Sequence, residues 1–243
     1  MQCIFKRVFF LSVLSLFFQL DALQVRPRTQ NEWGILDVVA EILPKNPTVI
    51  QAGYYADATQ KMGHLWPRGK LYIFEPNPKH FQQFKEKHRY HPNVEIFPVA
   101  LSKETGYAPF YIGPSVMNAR IGSLLPATDE WKWYYSDAQK IIVECKNLQD
   151  WADAQGVDFV DFFWLDIGGM ELDVLKSIPK LIKNISMMLV ETHEKEFRQG
   201  IGLFKDVVSF LDEHDIELIH QWKTPGFQGY SLFMKRGFAE VVK

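Results

Sequence analysis

The sequence predicts an α/β fold in which a mostly parallel sheet carries helices on both faces and ends in an antiparallel hairpin. Three observations predict it. Short apolar runs alternate with helical segments of about ten residues, the pattern of βαβ units whose strands are buried on both faces. One such run, Thr48-Val49-Ile50-Gln51-Ala52, breaks at Gly53, and the next, Leu71-Tyr72-Ile73-Phe74, ends in Glu75 about twenty residues on. A glycine that lets the backbone approach a ligand, followed by an acid that accepts hydrogen bonds from ribose hydroxyls, grips a nucleotide-like cofactor at the edge of a parallel sheet. Finally, the last two apolar runs are joined by a tight Pro225-Gly226-Phe227-Gln228-Gly229 connection, suited to a hairpin that closes one sheet edge.

Taken in order, Met1 to Leu23 reads as an export leader, with Lys6 and Arg7 as a basic n-region and Val8 to Leu20 as the apolar run. That run is shorter than the about 20 apolar residues of a membrane span. Cleavage near Ala22 gives an exported protein, an uncleaved segment over residues 4–20 gives membrane association, and an amphipathic helix of a cytoplasmic protein is the third reading. Polar residues 24–32, with Arg26-Pro27-Arg28, form a linker, and residues 33–243 form the folded domain. Apolar spacing at Ile35, Val38, Val39 and Ile42 predicts a helix over Gly34–Leu43, ended by Pro44 and Pro47. A strand at Thr48–Ala52, a helix at Asp57–Leu65, a strand at Leu71–Phe74 and a proline-opened helix at Pro78–His88 follow, then a strand at Val94–Val99. Between Gly106 and Ile142 only Tyr107–Ile112 reads as a strand; the rest, with Trp131, Trp133, Tyr134 and Tyr135, reads as a substrate-side cover or as core packing. Regularity returns with helices at Asn147–Ala154, Glu171–Ile178 and Phe204–Leu211 and strands at Phe159–Leu165, Ser186–Val190, Ile216–Gln221 and Tyr230–Met234.

The chain has 243 residues, 47% of them hydrophobic and 14% aromatic, which is enough for one substantial core and argues against disorder. A net charge of -2, with no Lys/Arg cluster interleaved with aromatics, excludes nucleic acid as the expected partner. Cys3 lies in the leader, so Cys145 is the one thiol of a processed chain. With no histidine near it in sequence, it reads as a small packed residue. His64, His80, His88, His91, His214 and His220 are scattered, and no HExxH or CxxC spacing occurs, so no metal is expected.

Four blocks resemble the FkbM-type methyltransferases: Val49-Ile50-Gln51-Ala52-Gly53; Leu65-Trp66-Pro67 to Phe74-Glu75-Pro76-Asn77-Pro78; Val99-Ala100-Leu101-Ser102 with Gly106; and Phe162-Phe163-Trp164-Leu165-Asp166-Ile167-Gly168-Gly169-Met170-Glu171-Leu172 with Val174-Leu175. The resemblance implies a Rossmann-like seven-stranded sheet, S-adenosyl-L-methionine (SAM) as cofactor, and methylation of a small-molecule or glycan hydroxyl. It implies a cofactor site of Gln51, Ala52, Gly53, Tyr54, Glu75, Pro76, Asn77, Ala100, Leu101 and Asp166, to which Asp57 is added as a replacement for the charge missing at Gln51. In this site Gly53 and its neighbours lie under the methionine part, Glu75 holds the ribose and Ala100-Leu101 lies beside the adenine. The chain departs from the family pattern at Gln51, where an acid is usual, at Ala56-Asp57, where a second glycine is usual, and at Gly168, where Glu or Gln is common.

Methyl transfer needs alignment of acceptor and methyl, with a base only where the acceptor carries a proton. Asp166 at a strand end is the candidate for orienting or deprotonating a hydroxyl, against a role as helix cap. His193 sits at the same rim, against the reading of a surface histidine in a charged turn. Glu171 serves the site or the start of its helix. Two other readings stand beside the enzyme: a binding domain that kept the fold and lost the cofactor, and a nicotinamide oxidoreductase, which the absence of G-x-G-x-x-G disfavours.

Overall fold

The computed structural model describes residues 34–53, 55–113, 122–135, 139–223 and 226–238. The leader, the linker, Trp33, Cys3 and Tyr54 lie outside the described residues. In chain order the elements are α1 (Gly34–Ile42), β1 (Thr48–Ala52), α2 (Ala56–Leu65), β2 (Lys70–Phe74), α3 (Pro78–His88), β3 (Val94–Phe97), β4 (Ala100–Ser102) and β5 (Gly106–Ile112). They continue with β6 (Gly122–Ser123), β7 (Gln139–Asn147), α4 (Leu148–Gln155), β8 (Val160–Leu165), α5 (Glu171–Lys176), β9 (Ile185–His193), α6 (Phe204–Asp212), β10 (Ile216–Lys223) and β11 (Gln228–Lys235).

Among the described residues, seven strands form one sheet in the order β10-β11-β9-β8-β1-β2-β3. β1 pairs in parallel with both β2 and β8, while β11 is antiparallel to both β9 and β10. The strands alternate their side chains between two apolar layers. From β1, Ile50 and Ala52 enter the layer under α4, α5 and α6, whereas Val49 enters the one under α1, α2 and α3. β8 is buried along its whole length, as a central parallel strand should be. Breaks in this pattern mark the helix starts: Asn77 and Asn147 each accept a hydrogen bond from a backbone N–H of the following turn, capping α3 and α4.

Three differences from the sequence expectation matter for the site. The strand expected over Val94–Val99 stops at Phe97, before Pro98, as β3 of the main sheet, and a separate strand, β4, follows at Ala100–Ser102 and leaves that sheet. β4 joins a second sheet in the order β4-β7-β5-β6, in which the strand expected over Tyr107–Ile112 is β5. Its period-two pattern is short and one-sided, with Ala100, Phe110, Val143 and Cys145 buried while Tyr107 and Ile142 face solvent, so it carries little apolar signal per strand. Lastly, β9 runs three residues beyond the expected Val190, because β11 pairs with it as far as His193↔Gln228. Glu191, Thr192 and His193 therefore stand on a strand end, and His193 is fully buried rather than a surface residue. No helix among the described residues is long and apolar enough to cross a membrane.

Candidate active site

A cleft with about 580 Å³ of space, part of it open to solvent, lies at the carboxyl ends of β1, β2 and β8, where open parallel sheets bind ligands. Gly53, Tyr55, Glu75, Pro76, Asn77, Ala100, Leu101 and Asp166 line it, together with Phe74, His80, Phe110, Gly122, Leu124, Ile167 and Met170. Gly53 has φ +88°, and a Cβ there would stand 1.9 Å from the Asp166 carbonyl oxygen, so no other residue fits without moving β8. Glu75 follows β2 and is buried; its Oε1 accepts from the Asn77 N–H at 2.6 Å, which fixes the carboxylate. On the far side, Ala100, Leu101, Phe110 and Leu124 form an apolar slot that depends on the second sheet. A fixed acid, a glycine floor and an apolar slot fit a nucleoside with a small charged tail.

Other residues expected at the cofactor lie elsewhere. Gln51 points to the opposite face of the sheet, where its Oε1 accepts from Thr59 Oγ1 at 2.7 Å and its Nε2 donates to the Gly53 carbonyl at 3.0 Å. It therefore shapes the glycine turn from behind without lining the cavity. Ala52 is wholly buried in the core, since its side chain alternates away from Gln51 into the layer under α5. Asp57 is exposed on α2 and pairs with Lys87 at 2.7 Å, so it does not replace a lost charge in the loop. Gly168 has φ +68°, and a Cβ would come 2.7 Å from the Gly122 carbonyl oxygen, while Ser123 Oγ donates to the Gly168 carbonyl at 2.8 Å. Close seating of β6 on this turn accounts for the glycine where the family commonly carries a polar side chain.

Behind Asp166 the structure gathers groups that linear reading did not connect. Tyr230 on β11 donates to Asp166 Oδ2 at 2.5 Å, and the Tyr55 and Tyr230 hydroxyls lie 3.0 Å apart. Glu171 Oε1 accepts from the Ile167 N–H at 2.9 Å, so this acid steadies the turn that carries Asp166. Its Oε2 has no hydrogen-bond partner among the described residues and lies 3.7 Å from His193 Nε2, which is 3.5 Å from Glu191 Oε2. Burial raises Asp166 above the ordinary carboxylate range, although hydrogen bonds from Tyr230 and Tyr55 oppose it. Burial and the negative charges of Asp166 and Glu171 push Glu191 well above that range. Burial acts the same way on Glu171, but the neighbouring His193 and the Ile167 N–H outweigh it and hold Glu171 low. Neighbouring charges thus push Glu191 and Glu171 in opposite directions.

The segment after β6 covers this cluster. The Thr128 N–H donates to the Phe197 carbonyl at 3.1 Å, and the Gln199 N–H donates to the Pro126 carbonyl at 2.9 Å. The buried Arg198 donates to the Leu125 carbonyl at 2.8 Å and lies 4.5 Å over the Tyr135 ring. Rings continue outward: Phe197 meets His193 at 5.1 Å and Phe227 at 5.0 Å, Phe227 meets Trp131 at 4.7 Å, and Trp131 stacks on Trp133 at 6.4 Å. Trp133 is 71% exposed at the outer end. Tyr55, Glu191, Arg198, Phe227 and Tyr230 went unnoticed in the sequence because strand pairing over long separations brings them together. The one local hint was the adjacency of Tyr55 to the glycine turn.

A model of the family described as Methyltransferase FkbM domain matches residues 37–218. A curated relative, the 2-O-methyltransferase NoeI of Sinorhizobium fredii (strain NBRC 101917 / NGR234), is 24% identical over 188 residues, covering 74% of this chain and 76% of its own. Among solved structures, the chain is similar to the N-terminal domain of EvdMO1 with SAH bound, at 11% identity and TM-score 0.49, over 86% of this chain and 82% of that one. It is also similar to magnesium protoporphyrin IX methyltransferase (ChlM) from Synechocystis PCC 6803 with bound SAM, at 9% identity and TM-score 0.46, over 84% and 79% of the two chains.

Proposed function

The chain belongs to the FkbM methyltransferase family, and we propose that this SAM-dependent methyltransferase methylates a hydroxyl oxygen of a small molecule or glycan. Asp166 carries the reading, because it lines the cofactor cavity and also belongs to the acid–tyrosine cluster behind it. Gly53 admits the cofactor against the β8 backbone, Glu75 clamps the ribose, and Ala100, Leu101, Phe110 and Leu124 take the adenine. The bound SAM supplies an electrophilic methyl group on a sulfonium.

The remaining work falls to the protein. Asp166 orients the acceptor hydroxyl and takes its proton, while Tyr230 holds the carboxylate in line. The covering segment keeps bulk water from the cluster, which strengthens these charges. A sugar or polyol suits the entrance, because the exposed Trp133 and the half-buried Trp131 stacked on it offer flat apolar faces and the acids beyond them accept hydrogen bonds from hydroxyls. O-methylation is also what the name of NoeI states for that relative. The near-neutral net charge of -2 gives no attraction for nucleic acid. For location we propose export or membrane association through the leader, with residues 4–20 as the attaching segment. The N-terminal sequence of the protein from its native cells tests this: a start near Leu23 or Gln24 supports export, and an intact Met1 counts against export and favours attachment or a cytoplasmic site.

The functional test is transfer of labelled methyl from SAM to a panel of oligosaccharides, polyols, amines and carboxylic acids. Label in hydroxyl acceptors, with kcat reduced about a hundredfold or more in Asp166→Asn and S-adenosylhomocysteine affinity retained, supports the reading. Label confined to amines or carboxylates contradicts it.

A further inference from the structure

Linear spacing argued against a metal, yet the fold brings one set of donors together. His193, at the end of β9, is wholly buried, and neither ring nitrogen has a hydrogen-bond partner among the described residues. Glu171, at the start of α5, is also buried, with Oε1 committed to the Ile167 N–H and Oε2 unpartnered. Glu191 lies one side-chain alternation before His193, with its side chain 13% exposed. Their three ligand atoms lie within 4.8 Å of one another, at 3.7 Å for Glu171 Oε2 to His193 Nε2 and 3.5 Å for Glu191 Oε2 to His193 Nε2. These separations are long for hydrogen bonds. They suit a shared cation: bonds of about 2.0–2.1 Å to each ligand place tetrahedral neighbours about 3.4 Å apart.

Charge favours the same occupant. Asp166, Glu171 and Glu191 lie close enough to repel one another, and Arg198 is the guanidinium that acts on Glu171 and Glu191. That cation is already engaged by the Leu125 carbonyl and the Tyr135 ring, so Glu171 and Glu191 share one guanidinium that has other partners. The Ile167 N–H on Glu171 Oε1 also does what outer partners of metal-bound carboxylates do, holding one oxygen so that the other points inward.

We propose that Glu171, Glu191 and His193 bind one divalent transition-metal ion of the zinc type, behind Asp166 and beside the acceptor entrance. One imidazole with two carboxylates is a borderline donor set, which suits zinc rather than calcium or magnesium. Three protein ligands leave a coordination position for water or an acceptor oxygen. The ion's role toward the acceptor rests on the proposed function, whereas its binding does not.

The test uses the untagged full chain. After chelator treatment and dialysis, ZnCl2 is titrated by calorimetry into the parent and into His193→Gln, Glu191→Gln and Glu75→Ala, with S-adenosylhomocysteine binding measured on each. One equivalent of Zn²⁺, weakened about tenfold or more in His193→Gln and Glu191→Gln and unchanged in Glu75→Ala, is the expected result. Glu191→Gln, at the partly exposed ligand, keeps the test open if the buried His193→Gln does not fold. No stoichiometric Zn²⁺ in a parent that binds S-adenosylhomocysteine overturns the metal site and leaves the methyltransferase reading intact. Equal affinity in every variant also overturns it, placing the ion at other residues. Zn²⁺ bound as expected by a parent that does not bind S-adenosylhomocysteine supports the metal site and counts against the proposed function alone.

Discussion

At Gly53 the space is set by backbone, not by a side chain that can swing away. Gly53→Ala must push the Asp166 carbonyl from 1.9 Å and hold alanine at φ +88°, so strain falls on the two strand ends that frame the cavity. The expected outcome is a loss of about 2 kcal/mol or more in urea unfolding and about tenfold or more in S-adenosylhomocysteine affinity. Gly53 and Glu75 stand out in the sequence because each interrupts an apolar run, a local contrast that needs no partner to be seen. Tyr230 carries no such contrast. It is one polar residue in a C-terminal strand, and only pairing with Glu191 brings it to Asp166. Tyr230→Phe keeps the ring and removes the donor that lowers Asp166, so the acid limb of the kcat/KM profile is expected to move to higher pH. An unchanged limb would mean that Asp166 does not titrate in the reaction.

Element bounds were legible where a strand is buried on both faces or a helix has a capping residue: β1 and α3 begin and end where apolar pattern and proline predict. The second sheet was not, because its strands bury single faces against one another and its partners are distant in sequence. α3 also carries a pH liability. His88 is buried against Phe84, with ring centroids 4.1 Å apart, and burial, followed by the charges of His91, Lys87 and His64, lowers its pKa to about 4. The unfolded chain therefore binds a proton that the folded chain refuses between its ordinary value of 6.5 and about 4. This stability is present above pH 6.5 and is lost as pH falls through that window to about 4, by on the order of 3 kcal/mol at most. Urea midpoints measured from pH 7.5 to 4 should fall for the parent and fall less for His88→Leu. Parallel curves would contradict the buried, neutral histidine.

Across the molecule, the parallel sheet supplies the cofactor end of the cleft and the second sheet, with its following segment, supplies the cover and the entrance. Trp133 is the outermost ring of the aromatic ladder at the proposed entrance, being 71% exposed and stacked on Trp131 at 6.4 Å. Trp133→Ala is expected to raise acceptor KM about three- to tenfold, with stability within about 0.5 kcal/mol of the parent and cofactor affinity unchanged. A change in cofactor affinity would place the aromatic ladder in the wrong half of the cleft. The alternative of a fold that has lost its cofactor draws on the leader and on the loop departures at Gln51 and Asp57, and each of those two residues has a partner outside the cofactor contacts. The central claim is that the cleft between β1, β2 and β8 holds SAM through Glu75. Calorimetric titration of S-adenosylhomocysteine into the parent and Glu75→Ala tests it most directly: the account predicts stoichiometric binding in the parent, weakened about tenfold or more by the substitution. Absence of binding in a folded parent, or equal binding in both proteins, would contradict it.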